Sequence, residues 1–232
     1  KVDEIDAQKY VKLREYYVNM LNRIDIIHFN SNLSASIYLK FIRPRSYKVI
    51  SISNSSIKER PQVGVQHNTI HDKLSILYLA PVKPYKGFHI LKKALDELWD
   101  EGKRDFELKI FAPTNDISPY MVVSKNGYKA YELSSIFSFA DILVAPSVWY
   151  ETFGFTVLEA ISFGVPVIVS DRVGANDIIG KGGIVVKANS VAELKEAISG
   201  ITEEKLKQLK FNIKNMIIES WDDCVQKIYN IY

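Results

Sequence analysis

Short apolar segments alternate with amphipathic ones along most of this 232-residue chain. The apolar segments have the length of strands, and the segments between them have helical periodicity. The pattern predicts strands over 74–79, 106–111, 142–145, 165–169 and 184–186, and helices over 88–99, 131–139, 153–163, 175–179 and 191–198. Strands that alternate with helices in this way indicate a parallel sheet covered on both faces. We therefore predict an α/β, Rossmann-like parallel-sheet domain.

The first part of the chain has a shorter version of the same alternation. The pattern predicts a helix over 8–22, a strand over 24–29, a helix from the cap residue Ser31 to Phe41, and a strand over 47–52. Residues 55–72 are polar and turn-rich, which is typical of a linker. We interpret residues 1–60 as the remnant of an N-terminal Rossmann-like domain, 61–72 as the linker, 73–201 as the main domain, and 202–232 as C-terminal helices that pack back toward the N-terminal part. The start at Lys1 fits a fragment of a longer protein, which we favour, or a processed N-terminus.

Composition excludes several classes of function. The hydrophobic fraction of 47% and the charged fraction of 25% are those of an ordinary globular protein. A net charge of +3 is too small to indicate a nucleic-acid partner, but it leaves a phosphate-bearing ligand open. A single cysteine, Cys224, excludes an internal disulfide and a cysteine-rich metal site.

The chain has neither a signal peptide nor an apolar run that reaches the roughly 18 residues of a membrane span. We therefore predict a cytoplasmic protein. Four basic residues flank the end of the predicted helix in the N-terminal part: Lys40, Arg43, Arg45 and Lys48. They keep peripheral association with the inner membrane face open, although a solvated surface is the simpler interpretation.

The most informative segment, residues 146–160, joins the predicted strand over 142–145 to the helix that follows. In an open parallel sheet, ligands bind at the edge where strands end and helices begin. Gly154 allows the backbone to approach a ligand closely. The free amides near Phe155 and Thr156, together with the helix dipole, suit a phosphate group.

Two acids belong to this segment. Glu151 lies in the loop before the helix, and Glu159 lies more than one turn inside the helix. The helix dipole gives no reason for an acid at that depth, so a ligand hydroxyl is a candidate partner for Glu159. The alternative is that Glu151 is a surface loop acid and Glu159 a solvated helix position, and the residues alone leave both interpretations open.

The spacing Glu151-x7-Glu159, within Pro-Ser-x-x-x-Glu-Thr-Phe-Gly-Phe-Thr-x-x-Glu-Ala, resembles the E-x7-E signature of glycosyltransferase family 4. That family has the GT-B fold, in which two Rossmann-like domains face each other. Further segments resemble the family in order: Gly164 to Ser170, Gly174, Asp177 to Ile179, Gly182-Gly183, Ser220-Trp221 and Ile228-Tyr229. The resemblance covers roughly residues 20–232 and implies the C-terminal, donor-binding half.

The resemblance also implies roles for these residues. Glu159 would hold the ribose hydroxyls of the nucleotide, and Glu151 would lie beside the transferred sugar. The backbone amides of Phe153, Gly154, Phe155 and Thr156 would contact the sugar and the diphosphate. The family needs no metal or other cofactor in the active site, and the sequence has no Asp-x-Asp or histidine cluster at ligand spacing.

The loop after the first strand of the main domain carries two lysines. Lys86, followed by Gly87 at a helix start, can neutralise diphosphate charge as the nucleotide leaves, although a solvated loop lysine is the common alternative. The family has this Lys-Gly pair and an arginine five or six residues earlier, where this chain has Ala80 and Pro81. Lys83 is the candidate to replace that arginine, but lysine does not bind phosphate in the same bidentate way.

A second departure from the family follows Phe111. The family has a helix and another strand before the segment that corresponds to 131–139, whereas only about twenty residues intervene here. Residues 120–123 can form that strand, but no crossover helix is legible. The nucleotide base lies near this loop in the family, so the sequence does not identify the base.

The resemblance therefore implies a retaining glycosyltransferase. It would transfer a sugar from a nucleoside diphosphate sugar to a saccharide or lipid-linked acceptor, in a reaction typical of polysaccharide biosynthesis. Two alternatives stay open: a nucleotide-sugar epimerase with the same architecture, and a nucleotide-sugar-binding module that is inactive on its own.

Overall fold

The structure is a computed structural model that describes residues 4–54 and 73–231. The strands of these ranges are β1 (Ile26–Phe29), β2 (Ser46–Val49), β3 (Leu74–Tyr78), β4 (Phe106–Ile110), β5 (Met121–Val123), β6 (Ile142–Ala145), β7 (Val167–Ser170) and β8 (Gly183–Val186). The α-helices are α1 (Glu4–Leu21), α2 (Asn32–Tyr38), α3 (Phe88–Asp100), α4 (Leu133–Ser138), α5 (Phe155–Ser162), α6 (Asn176–Ile179), α7 (Val191–Ser199), α8 (Glu203–Lys214) and α9 (Trp221–Tyr229). Short 3-10 turns span Pro84–Lys86, Ala130–Glu132 and Gly180–Gly182.

The main sheet has six strands in the order β5-β4-β3-β6-β7-β8, and every neighbouring pair is parallel. Relabelled from one to six in chain order, these strands have the order 3-2-1-4-5-6 of a doubly wound Rossmann-like sheet. The direction of winding reverses between β3 and β6. The predicted α/β parallel-sheet fold is confirmed, and the reversal predicts a ligand-binding crevice beyond the ends of these two strands.

Helices cover both faces of this sheet. Since successive strand residues point to opposite sides, each central strand contributes side chains to the cores on both faces. On β3, Ile76 and Tyr78 belong to a core with residues of α3 and α7. Leu77, between them, belongs to the core on the other face, with residues of α4 and α5. The central strands are therefore apolar on both sides, which is why they form continuous hydrophobic runs in the sequence.

The N-terminal part forms a separate two-stranded parallel sheet from β1 and β2. Ser31 caps α2 by accepting a hydrogen bond from the Ser34 amide, as the sequence predicted. The segment that follows β2 contacts the C-terminal helices. Cys224 Sγ lies 3.1 Å from the Ser51 carbonyl oxygen, and Ser53 Oγ donates to the Glu219 carbonyl oxygen at 3.0 Å. The predicted linker, 61–72, lies outside the described residues, and the predicted domain boundaries stay a prediction.

Two features of the main domain bear on the site: the residue at which α5 begins and the connection between β4 and β5. The helix predicted from residue 153 begins two residues later, at Phe155, because Gly154 has a φ of 112°, which is incompatible with a right-handed helix. In addition, residues 111–120 connect the parallel strands β4 and β5 without a helix, as their sequence indicated. Parallel neighbours usually need a longer crossover, so this short loop requires another means of support.

Polar contacts with α3 supply that support. The Asp96 carboxylate accepts hydrogen bonds from Lys92 on its own helix at 2.7 Å, and from Ser118 at 2.9 Å and Tyr120 at 2.7 Å in the loop. Burial by itself would raise the pKa of Asp96, but the bonds from Lys92, Tyr120 and Ser118 outweigh it and lower that pKa. The ionised carboxylate thus holds the β4–β5 connection against the sheet.

The start of α3 is held by a close approach between two loops. Gly87, which precedes α3, has a φ of 74°, and a Cβ added to it would lie 1.9 Å from the Pro146 carbonyl oxygen. Only glycine fits there, because the left-handed backbone and the neighbouring carbonyl both exclude a side chain. The start of α3 therefore touches the loop that follows β6.

Replacing Tyr120 with phenylalanine should lower the free energy of unfolding by about 1 kcal/mol. The change removes the hydroxyl that donates to Asp96 but keeps the ring, whose centroid lies 5.1 Å from that of Phe106. Urea denaturation measures the difference. Tyr131→Phe is the matched control because the Tyr131 side chain is 78% exposed. Equal effects of the two substitutions would show that the Asp96 contact does not support the loop.

Gly87→Ala should destabilise the protein by about 3 kcal/mol or more, because it combines backbone strain with a clash against a carbonyl group. Gly102 separates the two causes: its φ is 89°, but an added Cβ would meet nothing within 4 Å. Gly102→Ala should therefore cost only about 1 kcal/mol. Thermal unfolding of both variants tests this, and similar losses would mean that the two loops do not touch closely.

Candidate active site

A cavity of about 390 Å³ opens between the ends of β3 and β6, where the strand order reverses. This is the crevice in which open α/β sheets bind their ligands. Its lining comes from the end of β3 and the loop after it (Tyr78 to Pro81, and Lys86), from β6 and the loop after it (Leu143 to Ala145, Ser147 and Glu151), from the start of α5 (Gly154 to Val157), and from two further loops (Tyr128 and Val173).

The loop between β6 and α5, residues 146–154, is fixed to the loops on both sides of it. The amides of Val148 and Trp149 donate to the Tyr85 carbonyl oxygen at 2.9 and 3.1 Å. The Glu151 amide donates to the Arg172 carbonyl oxygen at 2.8 Å. These backbone bonds fix the position from which the Glu151 side chain enters the cavity.

Lys86 and Glu151 form an ion pair inside the cavity, with Nζ 2.9 Å from Oε2 and side chains that are 25% and 21% exposed. The Ser147 hydroxyl donates to the other oxygen of the same carboxylate. Among the described residues that line the cavity, Lys86 is the one cation. The pair is partly desolvated, so an anionic ligand that reaches Lys86 competes with Glu151 for a strong interaction.

The N-terminus of α5 points its free amides at the same cavity. Gly154 is the N-cap residue, and its carbonyl oxygen accepts a hydrogen bond from the Val157 amide at 3.0 Å. The amides of Phe155 and Thr156 precede that bond, and the first amides of a helix have no carbonyl partner one turn earlier. The cavity therefore combines a lysine with the positive end of a helix dipole.

Glu159 lies one turn deeper in α5, outside the lining of the cavity. Its carboxylate accepts a hydrogen bond from Asn54 Nδ2 at 3.4 Å. Burial raises the pKa of Glu159. Burial and the nearby Glu159 carboxylate also raise the pKa of Tyr128, which lines the cavity. No ion pair of Glu159 with a lysine, arginine or histidine is found among the described residues. It is a half-buried acid beside the cavity and not a solvated helix position.

The structure thus brings together five of the residues singled out in the sequence: Lys86, Glu151, Gly154, Phe155 and Thr156. The other four lie outside the lining of the cavity, and these are Lys83, Gly87, Phe153 and Glu159. Phe153 is buried against Leu158, so that only its backbone is available to a ligand.

The described part of the cavity lining has no arginine in place of the one that the family has in this loop. Ala80 and Pro81 line the cavity at those positions, whereas the Lys83 side chain is exposed and lies outside the lining. The expectation that Lys83 shares a phosphate with Lys86 therefore has no support in the geometry. The turn Pro84–Lys86 follows Lys83 and directs Lys86 into the cavity instead.

Sequence reasoning missed three side chains of this site. Ser147 belongs to the quoted motif, and its position four residues before Glu151 is the signal that could have identified it. Tyr78 ends β3, and its hydroxyl donates to the Pro81 carbonyl oxygen at 3.1 Å. Burial, with a smaller contribution from the Glu151 charge, raises the pKa of Tyr78. Tyr128 lies in a loop with no recognisable pattern.

The described ranges, 4–54 and 73–231, contain no group of three or more His, Cys, Asp or Glu side chains that could hold a metal ion. In the same ranges, no helix is both long enough and apolar enough to cross a bilayer. Among the basic residues near α2, Arg45 pairs with Asp25, and Arg43 donates to the Leu39 carbonyl oxygen at 2.6 Å. The expectations of a metal-free site and of peripheral membrane association stay predictions.

The sequence matches a family model described as Glycosyl transferases group 1 over residues 73–204. An uncharacterized glycosyltransferase of Methanocaldococcus jannaschii is 25% identical over 209 residues, which cover 82% of this chain and 52% of that protein. O-antigen chain mannosyltransferase B of Escherichia coli is 28% identical over 171 residues, which cover 67% of this chain and 45% of that protein. The chain therefore spans about half the length of these curated relatives.

A solved structure agrees with these sequence matches. Anabaena HepE, crystallised with UDP and glucose, superposes with a TM-score of 0.70 at 18% identity, over 100% of this chain and 69% of its own. An identity this low supports the fold alone. The superposition confirms the predicted GT-B type of α/β architecture. Since the family model covers more than half of the residues, the chain belongs to the glycosyl transferases group 1 family.

Proposed function

We propose that this chain is the donor-binding half of a retaining glycosyltransferase. The complete enzyme transfers a sugar from a nucleoside diphosphate sugar to a saccharide or lipid-linked acceptor. One observation carries the proposal: Lys86, Glu151 and the N-terminus of α5 converge on a single cavity at the strand-order reversal. A cation, an acid and free helix amides suit a ligand that has both phosphate and hydroxyl groups.

The diphosphate occupies the positive side of this cavity. The Phe155 and Thr156 amides bind its oxygens, and Lys86 leaves Glu151 to pair with the phosphate. As the bond between the sugar and the diphosphate breaks, negative charge grows on the departing oxygen. The same amides and Lys86 stabilise that charge, because they are fixed in position before the reaction starts.

The two acids bind hydroxyl groups. Glu159 is half-buried, and from the described residues its carboxylate accepts one side-chain hydrogen bond, from Asn54 at 3.4 Å. The two ribose hydroxyls add the hydrogen bonds that stabilise a carboxylate in a partly buried position. Glu151, released from Lys86, accepts hydrogen bonds from the transferred sugar. In the retaining mechanism, the diphosphate leaves and the acceptor attacks from the same face of the sugar. No metal takes part.

The similarities support this assignment from outside the structure. The name of the Escherichia coli relative describes mannose transfer to an O-antigen chain, which is a saccharide acceptor. The structural neighbour HepE was crystallised with UDP and glucose, the two parts of a nucleotide sugar.

The two alternatives, an epimerase and an inactive binding module, are distinguished from a transferase by the reaction that the complete protein catalyses. Release of nucleoside diphosphate by the complete protein that depends on an acceptor supports transfer, whereas free epimerised sugar without an acceptor contradicts it.

Lys86→Ala should weaken the binding of a nucleoside diphosphate by about tenfold or more, which corresponds to one charge-assisted hydrogen bond. Calorimetry in EDTA-containing buffer first screens four nucleoside diphosphates: UDP, GDP, ADP and dTDP. The nucleoside diphosphate that binds most tightly is then compared with the corresponding nucleoside in the same buffer. The loss should shrink as salt rises, because exposed charges are screened over roughly 8–10 Å near physiological ionic strength. Nucleoside affinity should not change.

Lys83→Ala is the matched control, since it removes a lysine three residues away whose side chain lies outside the cavity. It should leave the diphosphate affinity within about twofold of wild type, the range of a distant surface charge. If Lys83→Ala weakens binding as much as Lys86→Ala, the loop acts through its overall charge. If neither variant weakens binding, the cavity does not bind phosphate.

Glu159→Gln should raise stability and weaken nucleotide binding in the same protein. Burial raises the pKa of Glu159, so the folded state binds this proton more tightly than the unfolded state and loses stability as pH rises through the shifted pKa. The melting temperature of Glu159→Gln relative to wild type should therefore be higher at pH 7 than at pH 4. Nucleotide affinity at pH 7 should fall by about tenfold, since a ribose hydroxyl loses a charged acceptor.

Glu196→Gln controls for the loss of one negative charge, because Glu196 is exposed on α7. Its effect on the melting temperature should be the same at both pH values, and nucleotide affinity should not change. A structural role for Glu159 predicts the opposite of the proposed result: the variant would be less stable at pH 7, with nucleotide affinity unaffected once folding is accounted for.

A further inference from the structure

We propose that a second cavity, on the opposite side of Glu151, binds a pyranose ring of the acceptor against Trp149 and Tyr150. This inference rests on the proposed function. The cavity has a volume of about 400 Å³ and lies between α2 and the loop that leads into α5. Glu151 lines both this cavity and the one that holds Lys86. A ligand in the second cavity therefore lies next to the site proposed for the donor sugar.

Hydrogen bonds join the two walls of this cavity. Ser31 Oγ and Ser34 Oγ, at the start of α2, both donate to the Thr152 carbonyl oxygen, at 2.6 and 3.1 Å. The Asn32 amide donates to the Asp177 carboxylate at 2.6 Å. Two of these contacts hold the start of α2 to the loop before α5, and the third holds it to α6, so the space between α2 and the loop is a defined cleft and not a gap between unrelated surfaces.

The aromatic wall is also held in position. The Arg172 guanidinium lies 4.9 Å from the centroid of the Tyr150 ring, and it also donates to the Val148 carbonyl oxygen. The Trp149 amide is fixed to the Tyr85 carbonyl oxygen at 3.1 Å, yet its side chain is 69% exposed. A large apolar side chain that is exposed on a fixed backbone, inside a cleft, indicates a binding surface.

The chemistry of the cleft selects a ring with one apolar face and a hydroxylated edge. Aromatic side chains from both walls, Tyr38 and Phe41 on one and Trp149 and Tyr150 on the other, offer flat apolar surfaces. The C–H face of a pyranose packs on such a surface. The Glu151 carboxylate accepts hydrogen bonds from ring hydroxyls at one end. An alkyl chain would cover the aromatic rings but would offer no hydrogen bond to this carboxylate, whereas a ring hydroxyl donates to it in addition to Lys86 and Ser147.

Saturation-transfer difference NMR on this chain tests the proposal with methyl glucopyranoside, methyl mannopyranoside, methyl galactopyranoside and hexyl β-D-glucopyranoside as probes. Wild type should transfer saturation to ring protons of at least one methyl glycoside. Trp149→Ala should reduce that signal at least threefold, and Trp149→Phe should restore most of it. Trp221→Ala is the matched control, since Trp221 is exposed on α9 and does not line this cleft.

Four outcomes overturn the proposal: no ring signal from any methyl glycoside in wild type, an unchanged signal in Trp149→Ala, an equal loss in Trp221→Ala, or transfer to the hexyl chain alone. Calorimetry with the tightest nucleoside diphosphate, on the same samples, separates this failure from that of the proposed function. If the nucleotide binds but Trp149 does not affect the glycoside signal, only the acceptor cleft is wrong. If the nucleotide does not bind wild type, the donor assignment is wrong.

Discussion

The backbone hydrogen bonds that fix the β6–α5 loop to its two neighbours are the contacts on which the site depends. Tyr85 accepts from this loop on one side, and Arg172 accepts from the Glu151 amide on the other. Because β3, β6 and β7 are adjacent in the sheet, the loops that follow them emerge side by side at one edge. The strand order therefore determines which loops meet, and the hydrogen bonds determine where Glu151 lies relative to Lys86.

The fold was predictable because it depends on patterns that repeat along the chain. The central strands are buried on both faces, so they form uninterrupted apolar runs such as Ile142–Ala145, and the helices between them keep one apolar side. The start of α5 was misplaced by two residues because Gly154 has a φ of 112° and lies close to the next loop, where an added Cβ would lie 2.8 Å from Val173. A local pattern contains no information about such a contact between distant residues.

The candidate site was predictable in its motif and not in its surroundings. Glu151 and the start of α5 follow from one continuous segment of sequence. Lys83 and Lys86 look equivalent in sequence, but the turn Pro84–Lys86 sends one into the cavity and leaves the other exposed. Tyr128 reaches the cavity from a loop whose path is set by the β5 edge of the sheet and by the packing of its ring against Phe111. Side chains that arrive from distant loops are determined by tertiary structure alone.

The ion pair between Lys86 and Glu151 links these features to function. Lys86 is the one cation that the described residues contribute to the lining. Under the proposed function, the energy of this pair therefore opposes diphosphate binding, and it also keeps Glu151 away from sugar hydroxyls until Lys86 has another partner. A diphosphate that binds Lys86 therefore releases an acid that faces two cavities at once. Because breaking the pair leaves a partly buried carboxylate without its cation, the released Glu151 gains most from hydroxyl donors on either side. The arrangement couples occupation of the phosphate site to the affinity of both neighbouring sites for sugar hydroxyls.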